Sequence, residues 1–227
     1  MNPAAIITEV MTAYDGVDGT DVDNVGRRAR YLMWLQHTNN YVHMYREWEW
    51  TFATTTLTII ADPLNVAYDG GNAIALPANF LEMSRNGGLC DSTGLKWGEV
   101  SVYQMQRLRT EGLGNVSVPV FAIFGGRIQI PYVVTSDLAF TLIYRIAPDV
   151  LVDNVTPPVI EMTIPGRYKD LVIIPGLIHR SQESKNDARV DRWAGYFTDG
   201  LAIMCARENP LQTKFKQFPG SLPGGMW

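Results

Sequence analysis

The chain has 227 residues, of which 46% are hydrophobic and 19% are charged, and this globular composition excludes a disordered chain. The net charge of −4 argues against a general nucleic-acid-binding surface, which is usually basic, but a mildly acidic wall would still let nucleic acid slide past. The N-terminus has no signal-peptide pattern and no stretch approaches the roughly 18 apolar residues of a membrane span, so we expect synthesis in the cytosol and no membrane partner.

Two helices are predicted at the N-terminus. Asn2 is suited to cap the first helix and Pro3 to occupy its first turn, and Gly16 is expected to end it. After a polar loop, the second helix is predicted from about Arg27 to Trp50, with polar residues on its opposite face. Its apolar stripe recurs every three or four positions and consists of Tyr31, Trp34, Leu35, Thr38, Tyr41, Val42, Tyr45 and Trp48.

The chain from Thr51 to about Leu151 is predicted to be a β region, because short runs of β-branched and aromatic residues alternate with turn residues. Glycines mark two hairpins, at 69–72 and 125–126, since glycine accepts the positive φ angles of tight turns. Residues 104–113 form either a short helix or an irregular excursion. The strand candidates are 54–60, 80–84, 98–102, 120–124, 127–131 and 138–145.

Helix is predicted again from Arg167, and the Pro175-Gly176 pair is expected to kink or interrupt it. A cleaner helix follows Asn186, with apolar residues along one face from Val190 to Met204. Residues 208–227 show no period and contain three prolines and three glycines. We therefore predict an extended tail there.

The tail carries large apolar side chains that cannot be buried within so short a segment. Exposed apolar groups on a terminal segment are typical of a docking arm, and a simple disordered end is the alternative. The residues expected to dock are Lys214, Phe215, Lys216, Phe218 and Trp227.

These elements together predict an α+β fold, in which N- and C-terminal helices pack as a bundle and a mostly antiparallel β region is inserted between them, followed by an extended C-terminal arm. The expected parts are residues 1–52 and 161–208 for the bundle, 53–160 for the β domain and 209–227 for the arm. Two tryptophans and a phenylalanine fall where helix changes to strand. We expect them to join the helical layer to the sheet rather than to line a ligand groove, since burying one such ring contributes roughly 2–3 kcal/mol. They are Trp48, Trp50 and Phe52.

No catalytic or metal-binding constellation can be recognised, so we predict a protein that is not an enzyme and has no cofactor or metal. His37 and His43 are six residues apart on one helix and face different directions, and with His179 they are expected to face solvent or cap helices. The Asp15–Asp23 loop lacks the spacing of an EF-hand, which favours a solvated loop. The two cysteines are expected to be buried free thiols: Cys90 and Cys205.

Basic residues gather at the start of two predicted helices. Such clusters are usually solvated faces, but if they meet in space they form a modest basic patch for a protein partner or for passing DNA. These channel or interface candidates are Arg27, Arg28, Arg30, Arg189 and Arg192.

Several motifs occur in a characteristic order between about residues 27 and 207. A long helix ends in a Trp-x-Trp run and leads directly into a Thr-rich strand. ALPANFLEM follows at 75–83, then VPVFAI at 118–123, GGRIQIP at 125–131 and FTLIYRIAPDVL at 140–151, before a C-terminal helical pair. In this order the motifs resemble the head-to-tail adaptor, or connector, proteins of tailed bacteriophages, in particular those of short-tailed phages.

The resemblance implies a structural protein of the virion, located at the head–tail junction and made in the host cytoplasm. Such proteins form a ring, typically a dodecamer, that docks beneath the portal vertex and extends the DNA channel. Double-stranded DNA passes without sequence-specific binding, and the ring is the platform for a tail nozzle or tail tube protein. The resemblance further implies that the helices form the ring, the β region faces the tail and the C-terminal arm reaches the portal protein. Pro175-Gly176 departs from the smoother helix that the resemblance implies.

Two other classes of function stay open at this point. A β-rich tail or receptor-recognition module would bind carbohydrate by stacking sugars on Trp97 and other exposed aromatic residues, and a glycan array separates it from an adaptor. A hydrolase with an unfamiliar site would lose its activity when the three histidines are changed to alanine.

Overall fold

A computed structural model describes residues 1–17, 24–61, 73–111, 119–132, 134, 136–153, 161–184 and 189–208. These residues form five α-helices and two mostly antiparallel sheets, which confirms the predicted α+β fold. The backbone packs into two compact units. The helical unit comprises Met1–Trp50 and Pro148–Trp227, and the β unit comprises Thr51–Ala147.

The first two helices of the helical unit are α1 (Pro3–Tyr14) and α2 (Val25–Tyr45). The Asn2 side chain accepts a hydrogen bond from the Ala4 amide at 2.9 Å, which confirms the predicted cap. The prediction that the second helix reaches Trp50 was wrong: α2 ends five residues earlier, and a short 3₁₀ turn covers Glu49–Thr51.

Trp48 explains why the apolar stripe continues past the end of α2. Its indole Nε1 donates to the Val42 carbonyl at 2.6 Å, and Val42 belongs to the last turn, whose carbonyls have no partner inside the helix. Trp48 therefore caps α2 while its ring packs into the core. Its helical spacing from the earlier stripe residues does not mean that the helix continues to residue 48.

The C-terminal part of the helical unit changes helix type along its length. A 3₁₀ turn (Gly166–Tyr168) leads into a π-helical turn (Lys169–Ile173), then into α4 (Ile174–Ser184), and α5 (Val190–Arg207) follows. The predicted interruption near Pro175 corresponds to a change of helix type, because the π turn ends at Ile173 and α4 begins at Ile174. The wider π turn precedes the proline, which lies in the first turn of α4, where its missing N–H is tolerated.

Among the described residues, the core of the helical unit draws on α1, α2, α4 and α5. Two glycines permit close packing: an added Cβ at Gly200 would lie 1.8 Å from the Leu171 carbonyl oxygen, and one at Gly176 would lie 2.6 Å from Thr38 Cγ2. The largest fully buried side chains in this core are Trp48, Tyr31, Tyr168, Ile7, Met11 and Leu35.

The β unit contains seven strands and one helix in its described residues. In chain order they are β1 (Phe52–Ile59), β2 (Ala73–Ala75), β3 (Phe80–Asp91), β4 (Gly98–Glu99), α3 (Val102–Thr110), β5 (Val120–Phe124), β6 (Arg127–Gln129) and β7 (Leu138–Ile146). One sheet has the order β1-β7-β3 and is antiparallel. The other has the order β2-β6-β5-β4, in which β4 and β5 are parallel.

Glycines account for two features of these sheets. Gly125 and Gly126 have φ angles of 59° and 72° and form the predicted turn between β5 and β6. Gly88, with φ 73°, lies at a shift of register within β3, which runs seven residues beyond the predicted strand 80–84. The other predicted hairpin, at 69–72, lies outside the described residues.

The helix α3 begins with a capping box that was not predicted from the sequence. Ser101 accepts a hydrogen bond from the Gln104 amide, and the Gln104 side chain accepts one from the Ser101 amide at 3.0 Å. This reciprocal pair fixes a helix start, so that the predicted strand 98–102 is limited to Gly98–Glu99 and the helix starts before residue 104.

Candidate functional site

Two of the motifs noted in the sequence contact each other in the β unit. The hydroxyl of Tyr144 donates to Asn79 Oδ1 at 3.0 Å, and the Arg145 guanidinium lies 2.8 Å from the Glu82 carboxylate. The Phe80 ring stacks on Tyr144 with centroids 5.8 Å apart. The ALPANFLEM segment and the FTLIYRI part of FTLIYRIAPDVL therefore contact each other through the β3–β7 pair, and the last four residues of the second segment belong to the helical unit.

The tryptophans expected at the junction of helix and strand lie in the helical unit. Trp48 is 1% exposed and stacks on Trp50 at 6.1 Å with a 12° angle between the rings. The His43 ring meets Trp50 edge-on at 4.9 Å and is fully buried, so the prediction of a solvent-facing or capping His43 was wrong. Phe52 starts β1 in the other unit, where it pairs with Arg145. The expectation that these residues join helices to sheet stays a prediction.

Trp97 was expected to be an exposed aromatic residue for sugar stacking, and this expectation was wrong. The residue is 5% exposed and packs edge-on against Phe140 in the core of the β unit, with centroids 4.8 Å apart. Its Nε1 donates to Asp91 at 3.2 Å. Neither face of this ring is available to a carbohydrate.

The basic residues at the two helix starts have different surroundings. Arg28 binds Asp153 through Nε at 2.7 Å and Nη2 at 2.5 Å and donates to Thr8 at 2.9 Å, all within the helical unit. Its side chain is 13% exposed, so its charge is directed into the protein. The other basic candidates are more open to solvent: Arg27 is half-buried, and Arg30, Arg189 and Arg192 are exposed.

The end of α5 is fixed to the turn that precedes the π helix. Glu208 accepts hydrogen bonds from the Tyr168 hydroxyl at 2.5 Å and from the Arg167 guanidinium. Burial alone would raise the pKa of Glu208, but these two hydrogen bonds outweigh burial and hold the pKa below its ordinary value. The C-terminal end of α5 is therefore anchored to the turn before the π helix. The expected arm residues, Lys214, Phe215, Lys216, Phe218 and Trp227, lie outside the described residues.

A groove runs along α5 on the surface of the helical unit, with a volume of about 270 Å³. One wall belongs to the π turn and the start of α4, and the other to α5. The residues that line this α5 groove are Asp170, Leu171, Pro175, Trp193, Tyr196, Asp199, Gly200 and Ile203.

A second distinct surface is the outer face of α2, opposite its buried stripe. Met33 and Met44 are 47% and 59% exposed there, eleven residues apart and therefore on the same side of the helix. This outer face consists of Arg30, Met33, His37, Asn40 and Met44.

Within the described parts of the chain, no three His, Cys, Asp or Glu residues are grouped so that they could hold a metal ion. None of the described helices combines the length and the apolar character needed to cross a membrane. Cys90 and Cys205 are free, as expected, but each is half-buried rather than buried.

Comparison with protein families decides the broad role. The family described as SU10 adaptor protein matches residues 1–214. The chain belongs to this family. It is therefore a phage head–tail adaptor protein, as the resemblance in the sequence implied. Among curated proteins, none matches the chain.

Membership in the family implies a structural component of the virion at the head–tail junction, associated with portal and tail components. Families of structural adaptors are typically non-enzymatic.

The apolar character of two surfaces of the adaptor was not predicted from the sequence. The outer face of α2 was predicted to be polar, although the eleven-residue spacing of Met33 and Met44 was a readable signal. The α5 groove gave no such signal, because it depends on the close approach of Gly200 to Leu171, which are distant in sequence.

Proposed function

We propose that this adaptor assembles into a dodecameric ring that docks beneath the portal vertex, extends the DNA channel and provides the attachment platform for a tail nozzle or tail tube protein. The observation that carries the proposal is the family match over residues 1–214, which covers the whole β unit and all described residues of the helical unit.

Two features of the helical unit support a ring. It presents two different partly apolar surfaces, the outer face of α2 and the α5 groove. A ring of identical subunits needs such a pair, because each subunit contacts one neighbour with one surface and the next neighbour with another.

The C-terminal segment is proposed to be the portal-docking arm. Glu208 fixes the point from which this segment leaves α5, through its contacts with Arg167 and Tyr168. Burying Phe215, Phe218 and Trp227 on the portal would offset the entropy lost when the arm is ordered.

The charge distribution is consistent with DNA that passes without being held. The net charge of −4 repels the phosphate backbone at long range, while exposed guanidinium groups such as that of Arg189 supply weak local contacts that carry no sequence information.

Binding of the adaptor to isolated portal rings tests the proposal. Full-length protein is expected to add a collar visible by negative-stain electron microscopy, and a variant lacking residues 209–227 is expected to keep its circular dichroism spectrum and fail to bind. A matched control retains the length of the arm and replaces Phe215, Phe218 and Trp227 with serine. Absence of a collar with the full-length protein contradicts the proposed function, whereas full-strength binding by the truncated protein contradicts only the role of the arm.

A further inference from the structure

We propose, on the basis of the ring proposed above, that the outer face of α2 of one subunit packs into the α5 groove of the next copy. The partner of the groove is thus a second copy of this chain, and the contact is the repeating interface of the ring. Four properties of the two surfaces carry this inference: their lengths, their apolar character, their charges and their separation on the molecule.

The lengths of the two surfaces match. Met33 and Met44 are eleven residues apart on α2, which corresponds to about 16 Å along the helix axis. Trp193 and Ile203 mark the two ends of the groove along α5, and their ten-residue separation corresponds to about 15 Å. One helix laid along the other therefore brings both methionines over the groove.

The apolar character of the two surfaces also matches. Tyr196 and Ile203 are 44% and 40% exposed in the groove, and the two methionines are similarly exposed on α2. A volume of about 270 Å³ lies below the roughly 300–1,000 Å³ of small-molecule sites, which favours single side chains from a partner. Methionine is unbranched and flexible, so it adapts to an irregular groove.

The charges of the two surfaces are opposite. The outer face of α2 carries Arg30 and His37 and no acidic residue. The groove is lined by Asp170 and Asp199, of which Asp170 is 79% exposed and forms an ion pair with Lys169 at 3.6 Å. Beside the groove, Arg192 donates a hydrogen bond to the hydroxyl of Tyr196 at 2.9 Å, and Asp199 offers the carboxylate for which no ion pair occurs within the part of the chain that the structure describes. Arg30, at one end of the outer face, supplies a positive charge to this acidic rim.

The two surfaces share no residue, since one belongs to α2 and the other to α5, the π turn and the start of α4. A contact between different surfaces is head-to-tail, and a repeated head-to-tail contact closes into a ring when the rotation between copies allows it. A face-to-face dimer would use one of these surfaces twice and would bring like charges together.

Crosslinking between copies tests the interface. In a Cys90→Ser/Cys205→Ser background, His37→Cys and Tyr196→Cys place one thiol near the middle of each surface, so that crosslinking does not depend on the relative direction of the helices. Collars bound to portal rings are treated with a short bis-maleimide reagent. We expect a ladder of covalent multimers from the double variant and dimers at most from either single variant. The matched control moves the second thiol to Tyr103, an exposed tyrosine of the β unit.

Charge reversal supplies a second readout on the same collars. Arg30→Glu is expected to lower the ladder yield about threefold or more, and Asp170→Lys/Asp199→Lys in the same chain is expected to restore it. The control reverses two exposed acids outside the groove, Glu183→Lys/Asp191→Lys, and is expected not to restore it.

Collars that form on the portal without a ladder would overturn this inference and leave the proposed function intact. Crosslinks found only within one chain would overturn it equally. If portal rings carry no collar, the proposed function fails and the inference fails with it.

Discussion

The guanidinium group of Arg28 binds the carboxylate of Asp153 through two hydrogen bonds, with Nε 2.7 Å and Nη2 2.5 Å from its oxygens. The two residues are 125 positions apart in the chain and lie in the same helical unit, so the pair links the segment before the β unit to the segment after it. Paired hydrogen bonds of this kind are stronger and more directional than a single ionic contact.

Arg28→Ala is expected to lower the free energy of unfolding by about 2 kcal/mol, because it leaves the largely buried Asp153 carboxylate without its partner. Arg30→Ala, two residues away on the exposed side of α2, is the matched control and should change stability by less than about 0.5 kcal/mol. Urea unfolding followed by circular dichroism measures both. Equal effects would show that the pair does not hold the two segments together.

Gly200→Ala is expected to destabilise the protein by about 3 kcal/mol or more, because the new methyl group would lie 1.8 Å from the Leu171 carbonyl oxygen and force α5 away from the π turn. Gly195→Ala in the same helix has no atom within 4 Å of the added Cβ and should stabilise the helix by up to about 1 kcal/mol. Thermal unfolding of the two variants gives the comparison. A tolerated Gly200→Ala would mean that the packing of α5 on this turn is loose.

Trp48→Phe is expected to cost about 2 kcal/mol, because it removes a buried hydrogen bond to the Val42 carbonyl as well as apolar surface. Trp50→Phe should cost less than about 1 kcal/mol, since the Trp50 Nε1 is buried with no hydrogen-bond partner among the described residues. Chemical denaturation of both variants tests the difference. A larger loss in Trp50→Phe would indicate that Trp50 has the more important contacts.

The stability of the helical unit is expected to fall on acidification through Glu208. The folded-state pKa of this carboxylate is depressed, so its contribution is complete above the ordinary value of 4.5 and is lost as pH falls through the folded pKa. Glu208→Gln should therefore flatten the decrease in melting temperature between neutral pH and pH values below about 4.5. Glu183→Gln, an exposed glutamate on α4, is the control. Parallel profiles for wild type and Glu208→Gln would contradict the role of Glu208.

The strands were the most predictable part of the fold, for local reasons. β5 has the predicted bounds, Val120–Phe124, because a β-branched run ends directly at Gly125 and Gly126, whose positive φ angles close the turn. β3 was predicted too short, because its register shift before Gly88 interrupts the alternation of side chains.

The helices were predictable in existence and less so at their ends. Trp48 satisfies the helical spacing, yet it lies beyond α2 and reaches the core by capping the helix, a contact that no periodicity reveals. The π turn before Pro175 is also set by tertiary packing, because α5 approaches it closely at Gly200.

For the candidate interaction residues, the sequence predicted which residue types would take part but not whether each side chain is exposed or buried. Sequence proximity grouped Arg28 with Arg30, but Arg28 faces Asp153, a partner 125 residues away, and Arg30 is exposed. Trp97 shows the same limit, since a tryptophan in the short connection between β3 and β4 is exposed or buried according to strands that are distant in sequence, such as β7 with Phe140.

The pairing of Phe52 with Arg145 means that the β unit begins and ends on neighbouring strands, whose paired Cα atoms lie about 5 Å apart. The first and last strands of the β unit are therefore neighbours in space, although nearly a hundred residues lie between Trp50 and Pro148 in the chain. Because its two ends are adjacent, the β unit can be lengthened, shortened or replaced by recombination between related phages without moving the helical segments that precede and follow it. Changes in the length or sequence of the β unit can therefore leave the path of the chain through the helical unit unaltered.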